Sequence, residues 1–249
     1  MIRPAEAADV RQIANLVRSS FAPELHPYMI YTQPGITAFL LAYICVPQLA
    51  RDRRFLVAND DDGAILAFAD FRVLVDGGSF LSYICVAPAA RGRGLAAAMI
   101  DAFLKAVPNR QEMQLDVFSN NEVARALYGK LGFQTGETTH WYARPLPHAV
   151  DHNGDLTLLN PPSAAANFHA YGFCQLKTIW RGSNREAGRM GSRVIRCFSA
   201  PAFEDDGFLA ALRFCFPSAE EALLVGPACS VPGSRLINET VRMMWKIAG

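Results

Sequence analysis

Apolar and polar residues alternate along the first part of the chain in a pattern that predicts short strands separated by amphipathic helices. Apolar side chains recur at helical spacing after Asp9, and a second, strongly apolar helix is predicted from Ile36 to about Arg51. Strand-like runs bounded by turn residues lie at 1–3, 54–58, 64–75, 80–86, 113–118 and from 133 onward, with helical patterns after 94 and 121. The predicted element order is therefore β-α-α-β-β-β-α-β-α-β.

A glycine-bearing segment joins the strand ending at Val86 to the following helix. It reads Val86-Ala-Pro-Ala-Ala-Arg91-Gly92-Arg93-Gly94-Leu95-Ala96, and residues 91–94 are called the basic turn below. Gly92 and Gly94 let backbone N–H groups face a ligand, and the helix N-terminus adds partial positive charge. These features predict a phosphate or pyrophosphate site, although many helices follow loops with Gly and Arg. The Gly-Lys-Ser/Thr of a P-loop and the third glycine of a dinucleotide fingerprint are absent.

A second motif follows the next predicted strand. Its members are Asn121, Ala124, Leu127, Tyr128, Lys130, Gly132 and Phe133. The pattern indicates a short amphipathic helix that begins after Asn121 and ends at Gly132, a residue suited to the position after a helix. Outside such a motif, Tyr128 would be read as an aromatic side chain packed on the inner face of this helix.

Together the two motifs resemble the GNAT acetyltransferase superfamily over roughly residues 1–145. Arg91, Gly94 and Ala96 match its acetyl-CoA pyrophosphate signature Q/R-x-x-G-x-G/A, and the second motif matches N-x-x-A-x-x-L/F-Y-x-K-x-G-F at every position. The resemblance implies an α/β (α+β) GNAT fold. Its central sheet would be mixed and mostly antiparallel with two splayed strands, and a smaller C-terminal α/β region would follow.

The resemblance also implies acyl transfer from acyl-CoA to an amine by direct attack. Tyr128 would be the general acid for the leaving thiolate, because a tyrosine is neutral at pH 7. A backbone N–H of Ile84 or Cys85 would donate to the thioester oxygen as it gains charge. The residues expected to bind acetyl-CoA are Ile84, Cys85, Val86, Arg91, Gly92, Arg93, Gly94, Leu95, Ala96 and Asn121.

The general base is left open. Histone-acetyltransferase-like members of the superfamily carry a glutamate where this sequence has Phe80. The other candidates are Asp70, Asp116, Glu24 and His26. A base acting through water, or an amine that binds already neutral, is an equal alternative. The Cys85 thiol, flanked by apolar residues, is expected to be inert.

Residues 146–249 form the second predicted domain, beside a GNAT domain at 1–145. This region is expected to be a degenerate GNAT-like half, an acceptor-site element or a dimerisation element. Shifting the second motif by 40 residues overlays it on residues 156–173, which indicates either a repeat or a chance recurrence of Ala, Gly and Phe. A flexible basic loop is predicted at 181–191 and a final helix at about 234–247.

Composition narrows the class of protein. A net charge of +1 argues against a nucleic-acid partner, and no apolar signal region begins the sequence. The 6 cysteines form no C-x-x-C pair and the 5 histidines show no metal spacing, so reduced buried thiols and no metal are expected. The helix predicted from Ile36 is too short to span a membrane. We therefore expect a cytoplasmic protein with no membrane partner, as a monomer or a homodimer.

The leading hypothesis is an acyl-CoA-dependent N-acyltransferase that uses acetyl-CoA and a small-molecule amine. The loop from Phe21 to Pro34 and the C-terminal region would shape the acceptor pocket. One alternative is acetylation of a protein or peptide amine. The alternative from another class is a non-catalytic acyl-CoA-binding sensor or scaffold, against which the intact Tyr128 and basic turn argue.

Overall fold

The computed structural model describes residues 1–48, 50, 52–107, 112–151 and 154–246. The chain divides into two compact units. Unit 1 comprises residues 1–22, 39–138 and the chain from Thr240, and unit 2 comprises residues 23–38 and 139–239. That residues 1–145 and 146–249 are separate domains stays a prediction.

The first part of the chain has the predicted order of elements. Its helices are α1 (Val10–Ser20), α2 (Ile36–Ile44), α3 (Leu95–Ala106) and α4 (Glu122–Lys130). Its strands are β1 (Ile2–Pro4), β2 (Arg53–Asn59), β3 (Ile65–Val73), β4 (Ser79–Val86), β5 (Glu112–Phe118) and β6 (Gln134–Pro145). The helix α2 is shorter than predicted because Pro47 follows it and disfavours further helix. The predicted end near Arg51 lies outside the described residues.

The sheet of unit 1 is mixed and mostly antiparallel, as predicted. Its strands lie in the order β1-β2-β3-β4-β5, and all neighbours are antiparallel except β4 and β5, which are parallel. The last strand of the chain, β12 (Arg235–Lys246), adds residues 240–246 antiparallel to β5. A parallel pair needs a crossover, and α3 supplies it between β4 and β5.

One face of this sheet packs under α3. Met113, Leu115 and Val117 alternate along β5 and lie in the same apolar cluster as the α3 residue Phe103. The Phe103 ring stacks on Phe71 of β3 with centroids 4.2 Å apart. Burying each such side chain stabilises the fold by roughly 1.5–3 kcal/mol. The side chains between them on β5 therefore point to the opposite face of the sheet.

Unit 2 contains the remaining elements. They are β7 (Leu156–Leu158), α5 (Pro161–Tyr171), β8 (Phe173–Trp180), β9 (Ser183–Met190), β10 (Val194–Cys197), α6 (Ala200–Glu204), α7 (Asp206–Cys215) and β11 (Glu221–Gly226).

Two predictions for this region are wrong. The segment predicted as a flexible loop at 181–191 contains the strand β9, which pairs with both β8 and β10. The segment predicted as a helix at 234–247 forms β12, apart from its end at Ile247, which lies outside the described residues. Val241 and Met243 of β12 are both buried, so the apolar period there is two residues rather than the helical 3.6.

The strands of unit 2 repeat the arrangement of unit 1. The order β7-β8-β9-β10-β11 has three antiparallel pairs followed by one parallel pair, as β1 to β5 have. Residues 140–145 of β6 lie antiparallel to β11, as residues 240–246 lie antiparallel to β5. In this comparison β7 and β8 correspond to β1 and β2, and α5 lies between β7 and β8 along the chain. The 40-residue shift would instead align β7-α5-β8 with β5-α4-β6, and the strand order does not support that alignment.

Candidate active site

The two parallel strands of unit 1 separate near their ends. β4 and β5 pair only where Ser79, Phe80 and Leu81 face residues 113–115. Beyond that point both strands continue, and the described residues form no further β4–β5 pair. Residues 82–86 of β4 and 116–118 of β5 thus border a gap, called the splay below. A bulge at Ser82, where Tyr83 faces Asp70 and Leu81 faces Phe71, bends β4 at the start of the splay.

Backbone bonding fixes which N–H groups of β4 face the splay. The Ala87 N–H donates to the Leu66 carbonyl of the β3 side at 2.8 Å, and Cys85 faces Phe68 in the same register. Because antiparallel bonding alternates along a strand, the Cys85 N–H also points to β3. The N–H groups of Ile84 and Val86 therefore point into the splay. Of the two predicted oxyanion donors, this geometry leaves Ile84.

The basic turn has the backbone conformation that glycine permits. Gly92 and Gly94 have φ of 75° and 73°, and a Cβ on either would meet no atom within 4 Å. Glycine is thus required there by backbone conformation rather than by lack of space. The first backbone bond within α3 joins the Ala98 N–H to the Gly94 carbonyl, at 3.0 Å. The N–H groups of Leu95 and Ala96 are therefore left for a ligand.

The arginines of the basic turn lie differently. The Arg91 Nε donates to the Val86 carbonyl at 3.4 Å, a long bond that directs the side chain back to the end of β4. Arg93 is exposed. Both charges lie within one turn of the N-terminus of α3, where the helix dipole also favours an anion.

The helix α4 begins and ends at the residues predicted. The Asn121 side chain accepts from the Ala124 N–H at 3.1 Å, which makes it the N-cap. Gly132 ends the helix with φ of 88°. Between them Tyr128 is buried, 5% exposed, with its ring centroid 5.7 Å from that of Phe133.

Cys85 lies close enough to Tyr128 to affect the ionisation of the tyrosine. Burial raises the pKa of Tyr128 well above its ordinary 10.0, and the neighbouring Cys85 raises it further. Burial also raises the pKa of the Cys85 thiol to about 12, against smaller opposing effects of a hydrogen bond to Ser20 and of the Arg91 charge. Both groups are therefore neutral at pH 7. This agrees with the predicted inert thiol.

Three aromatic rings line the splay on the face opposite α3. Phe21, which follows α1, meets both Tyr83 of β4 and Phe118 of β5 edge-on, with centroids 6.0 and 5.9 Å apart. The sequence did not single out this cluster because its members lie far apart along the chain. The alternation of side chains along a strand shows that Tyr83 and Phe118 share a face once the pairing of β4 with β5 is known, and the sequence alone does not give that pairing.

Two of the predicted base candidates lie against arginines, and the other two belong to unit 2. Asp70 is fully buried and its Oδ2 lies 3.4 Å from the Arg53 Nη1. Asp116 accepts from two nitrogens of Arg242, at 2.5 and 3.0 Å. Glu24 and His26 lie in a 3₁₀ segment, Pro23–Tyr28, that belongs to unit 2.

The segment 23–38 is tied firmly into unit 2. The Tyr28 hydroxyl donates to Glu221 at 2.5 Å and accepts from Arg235 at 2.7 Å. Burial raises the pKa of Tyr28. For Glu221, burial opposes ionisation, but the bonds from Tyr28 and Arg235 prevail and lower its pKa. A Cβ on Gly35 would lie 2.4 Å from the Ala170 carbonyl, so this backbone approach requires glycine.

Unit 2 does not repeat the site of unit 1. All of β10 pairs with β11, from Val194 to Cys197, so these described strands form no splay. The connection after β10 carries the helix caps Ser199 and Asp205, followed by Asp206, where unit 1 has glycines and arginines. Carboxylates at that position disfavour an anion.

Other expectations concern metal sites, membranes and thiols. Among the described residues, no group of three or more His, Cys, Asp or Glu side chains is arranged to hold a metal ion. No helix in the described ranges is long and apolar enough to cross a membrane. Of the cysteines, expected to be buried, Cys85, Cys174 and Cys197 are buried, but Cys45 and Cys215 are exposed.

The splayed sheet, the basic turn and the buried tyrosine all belong to unit 1, in the part of the chain that carries the two sequence motifs. The model of the Acetyltransferase (GNAT) family matches residues 11–133. Residues 11–133 therefore belong to this family of N-acetyltransferases, which use acetyl-CoA as acyl donor, and the predicted family and fold class are confirmed.

Solved structures of the same fold span the whole chain. A tandem GNAT protein from the clavulanic acid biosynthesis pathway has a TM-score of 0.64 at 10% identity, covering 100% of this chain and 99% of that one. A GCN5-related N-acetyltransferase from Sphaerobacter thermophilus has a TM-score of 0.57 at 13% identity, covering 100% and 96%. At such low identity the likeness extends to the fold alone. None of the curated proteins matches this chain in sequence.

Proposed function

We propose that the protein transfers the acetyl group of acetyl-CoA to the amine of a small molecule, with Tyr128 as general acid. One observation carries the proposal. In unit 1, the splay, the open basic turn and the buried neutral Tyr128 occur together. An anion site, an unpaired strand edge and a proton donor are what a CoA thioester requires.

The donor would bind along β4 and α3. The N–H groups of Leu95 and Ala96, with the charges of the basic turn, would hold the pyrophosphate. The pantetheine arm would pair with the β4 edge through Ile84 and Val86, as an added strand does. Asn121 uses its side-chain oxygen as the N-cap, so its amide NH₂ is left for a pantetheine carbonyl.

The chemistry follows from these positions. The amine nitrogen attacks the thioester carbon, and the Ile84 N–H stabilises the charge on the carbonyl oxygen. As the carbon–sulfur bond breaks, Tyr128 gives its proton to the sulfur. The amine nitrogen loses one proton in forming the amide, and that proton restores Tyr128 directly or through water. Because Asp70 and Asp116 are held by arginines, the amine would react after binding in its neutral form or lose its proton to water.

Unit 2 would be a GNAT-like half that holds no acyl donor. Its strand order repeats that of unit 1, while its described residues have neither a splay nor a basic turn. The name of one structural neighbour, a tandem GNAT protein, supports this interpretation. Most of the loop from Phe21 to Pro34 belongs to this unit, and its predicted role in the acceptor pocket stays a prediction. The cytoplasmic location of the protein and its assembly as a homodimer stay predictions.

The function is tested by calorimetric titration with acetyl-CoA, followed by thiol release in the presence of small amines and peptide amines. Tyr128→Phe should abolish most thiol release and leave acetyl-CoA affinity nearly unchanged. Tyr43→Phe is the matched control, because its hydroxyl lies on α2. Binding without release by any amine would favour the sensor alternative. Faster release with peptide amines than with small ones would favour the protein-modifying alternative. Failure to bind acetyl-CoA would refute the proposal.

A further inference from the structure

We infer that Phe21 sets the length of the acyl group that the protein accepts, by closing the splay on the face opposite α3. This inference rests on the proposed acyl-CoA site. It concerns the acyl group itself, which neither the basic turn nor Tyr128 selects. It predicts that acetyl fits and that acyl groups of four carbons do not.

The position of the ring is the first argument. Tyr83 and Phe118 lie on the two strands that diverge, and each lies beyond the last β4–β5 pair. The Phe21 ring meets both edge-on, at 6.0 and 5.9 Å. One side chain therefore bridges the two strands across the splay. Edge-to-face aromatic contacts of this kind hold a ring in a defined position.

The face on which the ring lies is the second argument. Val117 points into the core under α3, so the next residue, Phe118, points to the other face. Phe21 must lie on that same face to meet it. The α4 residue Tyr128 belongs to the core cluster on the α3 face. An acyl group between the strands would thus have the proposed acid on one face and the Phe21 ring on the other.

The contacts that connect the end of α1 with the proposed acid are the third argument. A hydrogen bond joins Ser20, the residue next to Phe21, to the Cys85 thiol, and Cys85 in turn interacts with Tyr128. Ser20 also donates to the Leu16 carbonyl at 2.7 Å, which ties the end of α1 in place. The ring of Phe21 is therefore one residue removed from a chain of contacts that ends at the proposed acid. It is half-buried, as a wall of an open site would be.

Truncating the ring should open this wall. In Phe21→Ala, the space of the ring becomes available to the second and later methylenes of an acyl chain. Each buried methylene strengthens binding, so two that fit only in the variant change relative affinity by about tenfold. Phe21→Leu should lie between, and Phe21→Trp should weaken acetyl-CoA itself.

The experiment measures dissociation constants of CoA, acetyl-CoA, propionyl-CoA and butyryl-CoA by calorimetry, which needs no acceptor. For the wild type we expect butyryl-CoA to bind about tenfold more weakly than acetyl-CoA, and for Phe21→Ala we expect the two to be within about twofold. Phe39→Ala is the matched control, because Phe39 is also half-buried in unit 1 but packs on Tyr43 of α2. It should keep the wild-type preference.

Three results would overturn the inference while leaving the proposed function intact. In the first, the wild type binds acetyl-CoA and butyryl-CoA equally well. In the second, Phe21→Ala keeps the wild-type preference. In the third, Phe39→Ala loses that preference to the same extent as Phe21→Ala. If no CoA ester binds any of the folded proteins, the acyl-CoA site is itself refuted, and the inference fails with it. Unfolding curves of each variant show whether a loss of binding is a loss of structure.

Discussion

The guanidinium of Arg242 lies over the ring of Phe80, with its Cζ 5.3 Å from the ring centroid. Phe80 stands where histone-acetyltransferase-like members of the family carry a glutamate. The position is thus apolar and is covered by a cation that also binds Asp116. A cation in contact with an aromatic face is stabilising, and it leaves no basic group at this place on β4. In the proposed mechanism the proton of the amine therefore leaves by another route.

Asp116→Asn is expected to leave acyl transfer and its pH profile unchanged within about threefold, because both oxygens of the carboxylate already accept hydrogen bonds from Arg242. The variant should lose about 0.5–1 kcal/mol of unfolding free energy, as expected for a partly exposed ion pair. Steady-state rates between pH 6 and 9 and urea unfolding measure the two effects. A rate loss above tenfold, with loss of the acidic limb of the profile, would identify Asp116 as the base.

Tyr128 should remain protonated above the pH at which an ordinary tyrosine ionises. Burial raises its pKa, so the neutral, proton-donating form persists as the pH rises through 10.0. We expect kcat to show no decline up to that pH. Tyr128→Phe should lower kcat by roughly 10²–10⁴, the usual contribution of a positioned acid. An alkaline decline centred below pH 9 that disappears in Tyr128→Phe would contradict the assigned protonation state.

The two glycines of the basic turn are expected to matter for CoA and not only for stability. Gly92→Ala and Gly94→Ala place a Cβ on left-handed backbone, which costs roughly 1–2 kcal/mol of unfolding free energy. Gly77→Ala is the matched control, because Gly77 has φ of 90° and equally open surroundings in the turn before β4. All three variants should lose similar stability, whereas only the first two should lose CoA affinity, by tenfold or more. Equal affinities in all three would place the pyrophosphate elsewhere.

Local sequence predicted the donor side of the site, and pairing distant in sequence determined the rest. The basic turn and the Asn121 cap depend on φ angles and hydrogen bonds within a few residues, so both can be predicted from the local sequence. β12 could not be recognised as a strand alone, because β5, its partner, lies far away in the sequence. The same holds for β9, which is rich in polar residues and forms a strand because β8 and β10 pair with it on both sides. Arg242 reaches the site through the pairing of β12 with β5, and Phe21 reaches it through ring contacts with Tyr83 and Phe118, which lie far from it in the sequence.

The pair of Arg53 and Asp70 is expected to be structural. Asp70 is fully buried, and the guanidinium of Arg53 lies 5.1 Å from the Tyr43 ring centroid. Asp70→Asn should cost about 3–5 kcal/mol of unfolding free energy, because it removes the fully buried carboxylate that faces the partly buried Arg53 guanidinium. The double variant Arg53→Met with Asp70→Leu should cost less than the single one. Urea unfolding measures both, and a cost below 1 kcal/mol for Asp70→Asn would contradict the structural role.

The last prediction concerns how many donor molecules one chain binds. Although the strands of unit 2 repeat those of unit 1, β10 and β11 stay paired throughout β10, and carboxylates replace the basic turn. The described residues of unit 2 therefore offer neither an open edge between β10 and β11 for a pantetheine arm nor a basic turn for a pyrophosphate. Calorimetric titration should therefore give one acetyl-CoA per chain. In Gly94→Ala the affinity of this single site for acetyl-CoA should fall. A second site that binds acetyl-CoA with unchanged affinity in that variant would mean that unit 2 binds a donor of its own.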